Sequence, residues 1–91
     1  ISLSKVLELV LEKAKRGAHL IALIKPQFEV GRNKVGRKGI VSDPVLHSQV
    51  CSEVSLWLSL QAGWSVIGIV DSPIKGQNGN KEFMIYERKR S

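Results

Sequence analysis

Apolar residues recur at three-and-four spacing over the first stretch of the chain. Leu3, Val6, Leu7, Val10, Leu11 and Ala14 fall on one face of a helix over residues 4–16, with Lys and Glu opposite and Gly17 as a stop. Ala18 to Ile24 is then an unbroken apolar run, too short to favour a helix and shaped like a strand covered on both faces. It ends at Lys25, because Pro26 keeps its predecessor extended and has no N–H for a ladder. A long Gly-rich and basic loop follows, from Pro26 to Ser42. Asp43 and Pro44 supply an N-cap and a first-turn proline for a second amphipathic helix, with Leu46, Val50, Val54, Trp57 and Leu58 on its stripe and Gly63 beyond its end. Trp64 to Val70 reads as a β-branched strand, 71–80 as a polar turn, and 82–87 as an alternating strand before a basic tail.

Helix, strand, helix, strand, strand is the pattern of half a doubly wound α/β sheet. The last two strands are joined by a loop too short for a parallel crossover, so the last strand is expected to be antiparallel. The chain opens directly on a helix, with no Gly-rich strand–turn–helix before it, and residues 1–91 read as one folding unit.

Composition narrows the partners. An apolar fraction of 43% and a charged fraction of 24% are ordinary for a folded domain, but a net charge of +6 on 91 residues favours polyanions. Nucleic acid comes first, an anionic membrane surface second. The run from Ala18 to Ile24 falls far short of the ~20 residues a bilayer span needs, so no stable membrane insertion is expected. A lone Cys51 rules out an internal disulfide and a cysteine-built metal site, and His19 and His47 lack ligand spacing; no metal site is expected.

In open sheets ligands bind at the carboxyl ends of parallel strands, where Lys25 stands. An antiparallel strand begins at that same edge, and here it begins with Glu82. If the last strand inserts beside the Ala18–Ile24 strand, Lys25 and Glu82 become neighbours and an ion pair or hydrogen bond between them is expected. An amine that accepts or steers a proton needs such a partner. The loop beside them carries Arg32, Lys34, Arg37 and Lys38 among Gly31, Gly36 and Gly39. Gly31 to Gly36 has P-loop spacing, but Arg37-Lys38-Gly39 supplies no Lys-Ser/Thr pair, which argues against a nucleotide triphosphatase. Those four cations suit RNA phosphates, with a solvated loop as the alternative. Loops beyond about 12–15 residues are generally functional or disordered. Turn satisfaction is expected of Ser72, Gly76, Gly79 and Asn80, helix packing of Cys51, a strand-flanking place for His19, a helix-surface place for His47, and core or interface places for Trp57 and Trp64.

The ordered segments Ile24-Lys-Pro-Gln-Phe-Glu29, Val30-Gly-Arg32, Gly39-Ile-Val-Ser-Asp-Pro44, His47, Ser72-Pro-Ile-Lys-Gly76 and Gly79-Asn-Lys-Glu-Phe83 resemble the C-terminal part of the hemolysin-A (TlyA) family, related to FtsJ-like RNA 2′-O-methyltransferases. The resemblance runs over nearly the whole chain. It implies a Rossmann-like methyltransferase sheet using S-adenosylmethionine, behind a small S4-like RNA-binding domain, acting on ribosomal RNA in the cytoplasm. Residues 1–91 would then be the C-terminal half of the methyltransferase domain, without the RNA-binding domain or the cofactor-binding half, and inactive alone. The family's Lys-Asp-Lys-Glu tetrad has its second lysine at Lys25 and its glutamate at Glu82; its first lysine and its aspartate would lie upstream of Ile1. No cofactor-binding residue is expected in this chain. Two other readings compete: a haemolytic, membrane-acting protein, as the family name suggests, and a non-catalytic basic RNA-binding module. The free edge of a half sheet also invites pairing with a second copy.

Overall fold

A computed structural model describes residues 3–31, 36, 39–76 and 79–90. Along the chain come α1 (Leu3–Lys13), β1 (His19–Ile24), α2 (Pro26–Glu29), α3 (Pro44–Ser59), β2 (Trp64–Asp71) and β3 (Phe83–Lys89). The two long helices and three strands stand where the pattern of apolar residues places them. Their ends differ. Helix α1 stops at Lys13 rather than Arg16, because Lys89 from β3 donates its ammonium to the carbonyl of Ala14 (2.6 Å) and approaches those of Leu11 and Glu12. A cation there satisfies last-turn carbonyls and complements the helix dipole, and Gly17, at φ 89°, turns the chain into β1.

The loop expected from Pro26 opens instead with the short helix α2, with buried Pro26 at its first position. The Asp43 side chain accepts from the Val45 amide at 2.9 Å and caps α3. Strand β3 starts at Phe83, one residue later than expected, and runs on through the basic tail to Lys89.

The strand order is β1-β3-β2, with β3 antiparallel to both neighbours, as the short connection requires. In register, Ile24 faces Phe83, and Ala22 faces Ile85, which faces Ile69. A bulge interrupts β2 between Val66 and Gly68. Helices α1 and α3 cover one face, where Leu7, Leu11, Val50, Val54 and Leu58 meet Ile24, Trp64, Phe83 and Ile85. The indole N–H of buried Trp64 donates to the Leu11 carbonyl at 3.0 Å, tying β2 to α1.

The other face differs from expectation. Ile21 and Leu23 of β1 are 66% and 44% exposed and Val70 of β2 is 59% exposed, so β1 is covered on one side only. The apolar run records a strand built for two covering layers, whereas the helices of these residues supply one.

Candidate active site at the rim of the sheet

Strand β1 ends where Pro26 forces it to, leaving Lys25 half-buried at the rim with extended backbone (φ −112°, ψ 98°). Because Ile24 faces Phe83, the next residues outward are Lys25 on one strand and Glu82 on the other. The two do share a rim. Glu82 is 5% exposed, and its carbonyl accepts from the Ser72 amide at 2.9 Å.

The expected direct bond between them is not made. The Lys25 ammonium lies over the Phe28 ring, 5.4 Å from its centroid, and the Glu82 carboxylate accepts from the Gln27 side-chain amide at 3.2 Å. Among the described residues the one ion pair joins Lys81 to Asp71 at the surface, at 3.2 Å. The physical reason lies in solvation. A half-buried ammonium keeps water and gains a π face without the desolvation that a buried pair demands, while a neutral amide satisfies the carboxylate at lower cost.

The turn before β3 clamps Glu82 from the other side. A Cβ added at Gly76 would fall 2.6 Å from the Glu82 Cδ, so a glycine is needed for the carboxylate to lie there. Asn80, 3% exposed, accepts from the Val41 amide at 2.9 Å and donates to the Gly39 carbonyl at 2.8 Å. It thereby staples the end of the basic loop to this turn, which is the turn role expected of it. His47 is not the helix-surface residue expected. It is 9% exposed, its Nε2 donates to the Val41 carbonyl at 2.6 Å, and its ring meets Phe83 edge-on at 5.7 Å. The signal was present, since His47, Val50, Val54 and Leu58 form one three-and-four stripe.

The remaining candidates separate clearly. Arg32, Lys34, Arg37 and Lys38 lie outside the described residues. His19 is exposed, hydrogen-bonded to the Tyr86 hydroxyl and stacked on its ring at 5.6 Å. Cys51 packs against the core; burial, then the Asp71 carboxylate, pushes its thiol up against a smaller opposing pull from Lys81, the reverse of an activated nucleophile. Trp64 is buried in the core and Trp57 packs against it. Gln27, which sequence reasoning passed over, is the one side chain among the described residues bonded to the Glu82 carboxylate.

A half-buried amine and a clamped carboxylate at one rim suit proton handling. The family comparison agrees with that class. The profile of the FtsJ-like methyltransferases matches residues 1–89, and the chain belongs to this family. More particularly, it is 39% identical over 88 residues to the 16S/23S rRNA (cytidine-2′-O)-methyltransferase TlyA of Mycobacterium tuberculosis (strain ATCC 25618 / H37Rv), covering 97% of this chain and 32% of that protein. It is 29% identical over 86 residues to Hemolysin A of Brachyspira hyodysenteriae, covering 94% of this chain and 35% of that one. A solved "Putative hemolysin" from Lactococcus lactis superposes with a TM-score of 0.88 at 44% identity, over 98% of this chain and 42% of that one. One from Streptococcus thermophilus gives 0.89 at 37%, over 100% and 32%. The chain thus spans about a third of the length of the curated relatives it matches. Among the described residues no helix is long and apolar enough to cross a membrane.

Proposed function

We propose that this chain forms the C-terminal half of the catalytic domain of a ribosomal RNA 2′-O-methyltransferase working in the cytoplasm, with Lys25 and Glu82 in its active site. The observation that carries the reading is the meeting of those two residues at one rim, in a member of a methyltransferase family whose relatives include rRNA 2′-O-methyltransferases. The half sheet, with an antiparallel strand between two parallel ones and one apolar face open, fits one end of a larger Rossmann-like sheet.

The donor set fits the hydroxyl side of methyl transfer. A ribose 2′-hydroxyl is a poor nucleophile, and a positioned amine in its neutral form would help it by orienting its lone pair and taking its proton as the new O–C bond forms and the methyl–sulfonium bond breaks, the thioether leaving. Lys25 does this. Glu82, at the same rim, supplies the carboxylate toward which the amine turns from the Phe28 ring once it engages the hydroxyl, and it stabilises the ammonium that forms when the proton is taken. S-adenosylmethionine, when bound, supplies the electrophilic methyl group. Binding of its adenosine is assigned to the rest of the protein. Arg32, Lys34, Arg37 and Lys38 would hold the phosphates of the RNA.

Lys25→Ala in the full-length protein carrying this chain should lower rRNA methylation by at least about 100-fold, with S-adenosylmethionine affinity within about two-fold of wild type by calorimetry. Retained methylation would refute the role. The Hemolysin A relative keeps a membrane-acting reading in view. Dye-loaded liposomes exposed to the same protein should not leak, and leakage unaffected by Lys25→Ala would favour that reading.

A further inference from the structure

Three features converge on the Glu82 carboxylate. Helix α2 is a single turn, anchored by buried Pro26 and closed by the Phe28 amide on the Lys25 carbonyl (2.9 Å) and the Val30 amide on the Pro26 carbonyl (3.0 Å). That turn carries Gln27 back toward the start of β3, where its Nε2 donates to Glu82. Gly76 leaves the space into which the carboxylate is pressed. The Gln27 Oε1 is buried with no hydrogen-bond partner among the described residues, so among them the side chain's one hydrogen bond is the one to Glu82.

We propose that Gln27 is a positioning residue of the methyl-transfer site, fixing the Glu82 carboxylate against Gly76 in the orientation the Lys25 amine requires. The inference rests on the role given to Glu82 above. Gln27 touches no reacting atom; it acts through Glu82. Its amide is a donor that carries no charge, so it orients the carboxylate without cancelling it and leaves the negative charge for the lysine. Lys25 and Gln27 lie on the same turn, two residues apart, so α2 sets the amine and the carboxylate's donor together. This gives a physical reason for the glutamine within Lys25-Pro-Gln-Phe-Glu29.

The test uses the full-length protein with rRNA in single-turnover and steady-state methylation assays. Gln27→Met keeps the side chain's length and removes its amide, the donor to Glu82 together with the unpartnered oxygen. It should lower kcat by about 10–100-fold, the cost of misplacing a catalytic group by about an ångström, while KM for RNA stays within about two-fold. In a Glu82→Ala background the same substitution should cost less than about two-fold more, because a residue acting through Glu82 has nothing left to act on. Circular dichroism confirms folding, and Gln27→Ala serves if the methionine is not accommodated. A Gln27→Met enzyme at wild-type rate, beside an impaired Glu82→Ala enzyme, overturns this inference and leaves the proposed function standing. Fully additive losses overturn it too. A Glu82→Ala enzyme at wild-type rate overturns the proposed function itself.

Discussion

Strand β3 and its approach carry two buried carboxylates five residues apart, and their surroundings are opposite. Glu82, just before the strand, accepts from Gln27 and packs against Gly76. Glu87 faces the core opposite Leu20 and Val66, fully buried, with no hydrogen-bond partner for either oxygen among the described residues. Burial alone raises its pKa to about 7 from an ordinary value near 4.5. The first carboxylate is held by a donor and a reserved space. The second is tolerated by the fold and is neutral over most of the acidic range. Burial by itself therefore does not mark a site; the donor and the reserved space do.

The largest effect expected from this contrast is on stability. The folded chain binds the Glu87 proton more tightly than the unfolded chain does. The contribution is therefore fully present below about pH 4.5 and is lost as pH rises through about 7. Glu87→Leu should remove that slope and raise unfolding stability at pH 8 by on the order of 3 kcal/mol. Urea denaturation at pH 5 and pH 8 measures it, and an unchanged slope would show Glu87 to be paired. Methylation by the full-length protein should be unaffected. A smaller effect is expected at the other carboxylate's support. Gly76→Ala should displace Glu82 and slow methylation about ten-fold with little loss of RNA affinity. A rate within two-fold of wild type would mean that the Glu82 side chain is free to settle elsewhere.

Much of the fold was legible because α1, α3 and the strands follow simple periods, and Pro26, Asp43, Pro44, Gly17 and Gly63 punctuate them. The shared rim of Lys25 and Glu82 was legible too, since strand direction alone fixes it once β3 pairs with β1. What failed were the statements that depend on side-chain competition. The Lys25–Glu82 bond gave way to the Gln27 amide and the Phe28 ring, neither of which a strand register reveals. His47 was placed at the surface because histidine is polar, although its stripe pointed inward. The continuous apolar run of β1 was read as covered on both sides, but the second layer is not formed by the helices of these residues. Composition favours a polyanionic partner, and the profile match shows the FtsJ-like methyltransferase family.

The central claim, that the rim of this sheet handles the proton of a ribose hydroxyl, is tested most directly by the rate of a single methyl transfer to rRNA in Glu82→Ala, beside Glu87→Leu in the same full-length protein. A loss of about 100-fold or more at Glu82, with wild-type speed at Glu87, is the expected result. Equal rates in both variants would contradict it.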